Sequence, residues 1–347
     1  MTIFFLSDGY RGGATTFLEQ NIIYNLKKKR NVVLFDKNSK ITFPNLKKSK
    51  YLKIYNLDIF KEYSKIQLIV KKMHTSKKIF FFTNFAILVY YFFFFKNFKK
   101  NSIKLVLSLH SGIFKYNIKT ILGLGLFSLF LLKLNNIIFG SYSSKNWWLK
   151  IIPWMRIIKH KVIFNGIELQ KKKERLNKFF KISFIGRLEN ENDPELFLKL
   201  CLLNQNTKNM KFNVFGDGSL KEKFKNKFKK VKFWGWTNQK KIYLNTDITV
   251  ITSPLNNFPY AALESNSYGI PLITAAQGDI RKIVKNNYSG YILNERTAEN
   301  FDIFLKKVIK NYAKLSKNSF NNAKKFEVNK SCKKIWRFLK IENNNIR

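Results

Sequence analysis

Cysteine is nearly missing from this 347-residue chain. Cys201 and Cys332 are the only two. They have neither metal-site spacing nor the even framework of a bridged domain, so a disulfide scaffold is excluded and a reducing compartment is expected. Histidine is as scarce. His74, His110 and His160 lie too far apart in sequence to suggest a zinc site. Acidic residues are few, 21 Asp and Glu against 65 Lys and Arg. No Asp-x-Asp pair occurs, so no motif is on offer for holding a divalent cation. Long apolar runs are lacking too. Ile79 to Phe95 is broken by Thr83 and Asn84, and it falls short of the roughly 20 residues of a spanning helix. It reads as a buried strand, Ile79–Thr83, followed by a core helix. Ile121 to Leu132 is shorter still, with Lys119 and Lys133 at its ends. It reads as a core helix or as a surface segment dipping into lipid. The opening, Met1-Thr2-Ile3-Phe4-Phe5-Leu6, has no basic leader and reads as a first strand rather than a signal peptide.

What is present is a foldable composition: 45% hydrophobic, 25% charged and 16% aromatic, mostly Phe. The formal net charge is +44, which attracts any polyanion. Lys far outnumbers Arg and is spread along the whole chain. Lys, Asn, Phe and Ile rising together point to an AT-rich coding sequence rather than to a built basic patch. Specific nucleic-acid binding, which favours Arg, is therefore not expected. Attraction to an anionic membrane surface is.

The chain reads as two α/β halves. The first opens with the strand Ile3–Leu6 and a Gly-rich loop containing Gly12 and Gly13. Thr16-Phe17-Leu18-Glu19 has the form of a capping box, and Leu18, Ile22, Ile23 and Leu26 make a helical apolar stripe. Further strands are predicted at Asn31–Phe35, Ile79–Thr83 and Lys104–Leu109. Val162–Gly166 is predicted to be a short strand ending in a turn. Lys171 to Lys178, dense in charge, is the predicted linker. A second series starts at Ile182. Asp193 is expected to cap a helix beginning at Pro194, and strands recur at Phe212–Phe215, Val231–Trp234, Ile248–Ile251 and Leu272–Thr274. A last helix is expected around Trp336. The predicted fold is α/β, with two Rossmann-like domains facing across a cleft: residues 1–165, residues 166–325, and a tail, 326–347, packing back on the first domain.

The informative loops of the second half all follow predicted strands, where open parallel sheets bind ligands. They are Gly186-Arg187, Gly216-Asp217-Gly218, Phe233-Trp234-Gly235-Trp236-Thr237, and Asn256-Asn257-Phe258-Pro259 leading to Glu264, then Gly269-Ile270-Pro271. In this order and spacing they resemble the nucleotide-sugar domain of the GT-B retaining glycosyltransferases, family 4. The similarity covers about residues 160 to 310. In the first half it is carried only by Gly12-Gly13, His110 and Asn165-Gly166.

The resemblance implies a retaining, metal-independent transfer of a sugar from a nucleoside-diphosphate sugar to a hydroxyl of a growing surface glycan, of polysaccharide, lipopolysaccharide or capsule type. It implies no separate cofactor and a cytoplasmic site of action at the inner face of the membrane, on a glycan or lipid-linked acceptor. Arg187 would hold the donor diphosphate, since a guanidinium makes two charge-assisted bonds to phosphate oxygens. Glu264 would accept from the ribose hydroxyls. Asn257, Phe258 and Pro259 would open the helix whose backbone donors face the diphosphate. Gly12, Gly13, Gly186, Gly216 and Gly218 would let backbone approach the donor, Trp236 and Thr237 would contact the base, and His110 would lie beside the transferred sugar or the acceptor. Two positions depart from the family pattern. Asn192 replaces a Lys that follows the Arg by five residues, and Asn256 replaces a Glu that touches the transferred sugar. These leave open a catalytically altered or inactive member of the fold. A basic polyanion-binding protein and a nucleotide-sugar epimerase are the other readings, the last disfavoured by the scarcity of acids and His.

Overall fold

The computed structural model describes residues 1–9, 12–83, 85–91, 102–110, 128, 131, 134–174 and 178–341. The chain forms two compact units, residues 1–165 with 328–347, and residues 166–327. The apolar run Ile121–Leu132 lies almost wholly outside the described residues, as do Ser111-Gly112 and the end of the run from Ile79.

The first unit is built on seven parallel strands: β1 (Thr2–Leu6), β2 (Asn31–Phe35), β3 (Leu52–Tyr55), β4 (Lys78–Phe82), β5 (Ile103–Leu109), β6 (Asn136–Phe139) and β7 (His160–Val162), in the order β3-β2-β1-β4-β5-β6-β7. The central strands are apolar on both faces because helices cover both sides of a parallel sheet. Much of the chain's Phe is spent here. Phe4 stacks on Phe80 at 4.7 Å and Phe5 on Phe81 at 5.6 Å, across the β1–β4 pairing. The tail helix Val328–Phe338 belongs to this unit. Its Trp336 is fully buried and donates from Nε1 to Asn21 Oδ1 at 3.1 Å.

The second unit carries six parallel strands: β8 (Phe180–Ile185), β9 (Met210–Phe215), β10 (Lys232–Gly235), β11 (Ile248–Ile251), β12 (Leu272–Thr274) and β13 (Gly290–Ile292), in the order β10-β9-β8-β11-β12-β13. The strand order reverses between β8 and β11. In doubly wound sheets the crevice at that reversal is the ligand position. The first sheet has the same device between β1 and β4.

Four local expectations are corrected. The first helix is Gly13–Lys27, with Gly12 as N-cap; Thr15, not Thr16, closes the box, its Oγ1 accepting from Gly12 N at 2.9 Å. Glu19 instead holds Asn45 N and Nδ2. The strand expected at Val162–Gly166 runs from His160 to Val162. The charged segment 171–178 is not a linker, because the chain passes between the units at 165/166 and 327/328. Lys173 is tied into the second unit, its Nζ donating at 2.6 Å both to buried Asp247 and to Thr246 O. Asn257, Phe258 and Pro259, expected to open the helix that carries Glu264, lie before it: Pro259 is the N-cap of helix Tyr260–Ser267, and Asn257 and Phe258 precede the cap.

Candidate functional site

The loop leaving β8 begins the candidate site. Gly186 N bonds Phe215 O, and Leu188 N bonds Asp217 O, so the exits of β8 and β9 lie against each other. That contact dictates the glycines. Gly216 sits at φ +132°, and a Cβ there would lie 1.9 Å from Gly186 O; at Gly218, with φ +158°, it would lie 2.5 Å from Leu188 O. No other residue fits either place without moving backbone. Gly216 N in turn bonds Gly235 O, which draws in the exit of β10 with exposed Trp236 and half-buried Thr237.

Arg187 projects from this loop. Its side chain is 65% exposed and pairs with Glu191 Oε1 at 2.8 Å, four residues on. Such an exposed pair is held by about 1 kcal/mol or less, so a multiply charged anion can displace it. Asn192 does not supply the missing cation; it braces the loop. Its Nδ2 donates to Arg187 O at 2.9 Å, and its own carbonyl accepts from Thr252 Oγ1 at 3.0 Å. Thr252 opens the exit of β11. Asn192 therefore joins the two loops that flank the reversal point.

A residue that the sequence reading passed over strengthens the joint. Arg296, beyond β13, donates to Thr252 O and pairs with the carboxylate of Asp193. Asp193 also caps helix Pro194–Leu203 through Leu196 N at 3.3 Å. A lone Arg between Glu295 and Thr297 carries no spacing signal, so only topology could find it.

Past Thr252 the chain turns through Asn256, Asn257 and Phe258 into helix Tyr260–Ser267. Asn256 N bonds Gln277 O at 2.9 Å, and its side chain donates to Ser253 Oγ. The Phe258 ring is buried against Phe326 at 5.5 Å, so a ligand here meets its backbone rather than its side chain. Glu264 is half-buried, and its Oε2 accepts from the Tyr243 hydroxyl at 2.8 Å. Burial pushes its carboxyl up from 4.5 to about 7, with the Tyr243 bond opposing. Tyr243 is fully buried, stacks on Tyr268 at 5.0 Å, and was not foreseen. Gly269, at φ +74°, ends the helix, and its N bonds Asn266 O.

The candidate residues of the first unit are grouped by one aromatic contact. Gly12 and Gly13 open helix Gly13–Lys27, whose Phe17 meets the His110 ring edge-on at 4.4 Å. Gly12 has extended backbone, and a Cβ there would touch nothing within 4 Å. Its small size is thus not required by the chain's own packing. His110 follows β5, and Ser108 Oγ lies 3.0 Å from its Nε2. Burial lowers its pKa from 6.5 to about 4, against a hydrogen bond to Asn165 that raises it, so the ring is neutral at neutral pH. Among the described residues no group of three His, Cys, Asp or Glu side chains is placed to hold a metal ion, and no helix is long and apolar enough to cross a membrane.

Residues 166–326 match the family model described as Glycosyl transferases group 1. An uncharacterized 41.2 kDa protein in the cps region of Klebsiella pneumoniae is 25% identical over 151 residues, 39% of this chain and 42% of that protein. The Escherichia coli UDP-Gal:alpha-D-GlcNAc-diphosphoundecaprenol alpha-1,3-galactosyltransferase is 26% identical over 168 residues, 42% of this chain and 43% of its own length. The matched stretch thus spans less than half of either relative. The solved structure of Anabaena HepE with UDP-glucose superposes with a TM-score of 0.76 at 17% identity, covering 98% of this chain and 99% of that one. The fold is therefore that of the GT-B proteins, two Rossmann-like α/β units, and the group 1 glycosyltransferase match coincides with the second of them.

Proposed function

We propose that this protein is a glycosyltransferase of the retaining, family 4 kind, moving a sugar from a nucleoside-diphosphate sugar to a hydroxyl of a growing surface glycan. The observation that carries the reading is the convergence on the β8/β11 reversal point of an exposed guanidinium, Arg187, and the backbone entering helix Tyr260–Ser267. Both are donors of positive potential, and Asn192 and Arg296 tie their loops together. Two adjacent phosphates fit that chemistry.

In this reading the bond between the anomeric carbon and the phosphate oxygen breaks. Arg187 and the amides of Asn257 and Phe258 stabilise the departing diphosphate as its charge grows. The acceptor hydroxyl bonds to the anomeric carbon from the same face, and its proton leaves with the diphosphate, with no carboxylate nucleophile invoked. Glu264 receives the ribose hydroxyls, Trp236 and Thr237 meet the base, and Gly186, Gly216 and Gly218 form the floor. Asn256 hydrogen-bonds the transferred sugar without adding charge. Gly12, Gly13 and neutral His110 serve the sugar and the acceptor. Metal-independent transfer is the reading in which Arg187 and the amides at the helix entry meet the diphosphate. A lipid-linked acceptor is supported by the Escherichia coli relative, whose name specifies a diphosphoundecaprenol-linked sugar; action at the inner face of the membrane is part of the same proposal.

The test is turnover of UDP-, GDP- and ADP-sugars with lipid-linked glycan acceptors. Arg187→Ala is expected to lower kcat/KM about 10²- to 10³-fold with the fold's stability unchanged, because its ion pair is exposed. Activity should survive a chelator. Wild-type protein that neither turns over nor binds any of these donors would sink the reading in favour of an altered member, a role for which Asn192 and Asn256 are the motive. Loss on chelation with recovery on adding Mn²⁺ would overturn the metal-free part alone.

A further inference from the structure

We infer that the strand-entry end of the first unit is a docking face for an anionic lipid surface, with Ile151, Trp154 and Ile157 as the side chains that enter the interface. This inference stands apart from the transfer reaction and does not depend on it.

The segment from Ile151 to Lys159 shows a period of three. Helix Tyr142–Ile151 runs into the 3₁₀ helix Pro153–Ile157, and Met155 N and Ile158 N each bond the carbonyl three residues back. In a 3₁₀ helix, side chains three apart eclipse. Ile152, Met155 and Ile158 are buried in the core of the unit. Ile151, Trp154 and Ile157 make a second, outward face, at 38%, 50% and 71% exposure. Pro153, Arg156 and Lys159 make the third, also exposed. Ile152, Met155 and Ile158 serve the core, and the second apolar face stays outside the core cluster formed by the described residues.

The surroundings are cationic to an unusual degree. In a parallel sheet all the strand entries open at one end. Here the connections into β2, β3, β4 and β7 carry Lys28, Lys29 and Arg30; Lys47, Lys48 and Lys50; Lys77; and Arg156 and Lys159. The runs 28–30, 47–50 and 153–159 contain no Asp or Glu. Between Glu62 and Glu168 the sequence has no acidic residue at all, against 17 Lys and Arg. The lysines also meet in space. Lys104, at the start of β5, has its pKa lowered first by burial and then by Lys77, Lys159 and Lys340. Lys159 lies 5.5 Å from the Phe338 ring.

A Trp and two Ile projecting from a lysine field match the boundary of an anionic bilayer: apolar tips for the acyl region, cations for the headgroups. Self-association fits less well, because a stable interface takes roughly 20–30 residues a side, and three apolar tips amid like charges do not supply that. Docking at the strand entries also leaves the strand exits of the same sheet, with Gly12 and His110, uncovered.

The experiment is flotation of the full chain with vesicles of phosphatidylglycerol and phosphatidylcholine, and with phosphatidylcholine alone. Wild-type protein should float with the first and not the second, less so as salt is raised. Trp154→Ser with Ile157→Ser should weaken binding at least tenfold, and Arg156→Glu with Lys77→Glu should do the same at low salt. Ile303→Ser, at an apolar residue of the second unit that is 49% exposed, should change nothing. Circular dichroism checks that each variant is folded. The inference is overturned if wild-type protein does not float, if it floats equally with phosphatidylcholine alone, or if the Trp154/Ile157 variant binds like wild type. It is also overturned if a single-stranded oligonucleotide binds more tightly than vesicles and the same variants lose it. No sugar donor enters the assay, so its failure leaves the glycosyltransferase reading untouched.

Discussion

Glu264 sits where ionising costs the fold. Its carboxyl is raised from 4.5 to about 7 by burial, and the Tyr243 hydroxyl relieves only part of that. A carboxyl raised in the fold favours the protonated form. Its contribution to stability is full below about pH 4.5 and is lost as pH rises through about 7. Glu264→Gln should therefore match wild type in acid and exceed it above neutrality, by up to about 3 kcal/mol, read from urea unfolding at about pH 4 and about pH 8. If the ionised form holds the ribose hydroxyls, wild-type KM for the donor should rise as pH falls below about 7. The variant should show a weaker, pH-flat KM. A Gln variant that binds donor as wild type does at pH 8 would remove Glu264 from the donor site. Its candidacy was read from its place after Asn257-Phe258-Pro259. Its partner was not, because Tyr243 lies on another helix, Gln239–Leu244, and nothing in the spacing links the two.

At the scale of elements, short apolar strands followed by glycine or proline were readable, and Ile248–Ile251 and Leu272–Thr274 fall where the sequence puts them. Three strands were not singled out. Leu52–Tyr55 is a sheet-edge strand with Lys53 in it, Asn136–Phe139 has four residues, and Gly290–Ile292 has three. Such pieces owe their strand form to the neighbour they pair with, which no local pattern encodes. Charge density misled in the other direction. Lys171 to Lys178 has the composition of a solvated linker, yet Lys173 neutralises Asp247, whose other oxygen accepts from Lys181 N at 2.9 Å. Asp247 precedes β11 and is fully buried. Lys173→Ala should cost about 3–5 kcal/mol, the usual consequence of leaving a buried charge alone. Asp247→Asn in the same chain should restore part of it. A loss below about 1 kcal/mol in urea unfolding would show that the pair is no better than a surface bridge.

For the whole molecule, the decisive quantity is the imbalance of 65 cations against 21 anions. Most of the ion pairs among the described residues are exposed i,i+3 or i,i+4 pairs, such as Lys65–Glu62 and Lys199–Glu195, each worth at most about 1 kcal/mol. They do not offset the repulsion among the remaining lysines. Some of those lysines are close neighbours: Lys325 lies against Lys285, and Lys104 is crowded by three others. Salt screens such repulsion over a length of about 10 Å at about 0.1 M. Raising NaCl from about 0.02 M to about 0.5 M should therefore raise the Tm, whereas a fold held by surface ion pairs would lose stability. The same salt should weaken docking on phosphatidylglycerol vesicles. The two responses have opposite signs because one charge excess drives both, repelling within the chain and attracting outside it. A Tm that is flat or falling with salt would mean that the positive charges are spaced widely enough to ignore one another. In that case the lysine field of the first unit would be too dilute to hold an anionic surface by charge, leaving only Ile151, Trp154 and Ile157 to do so.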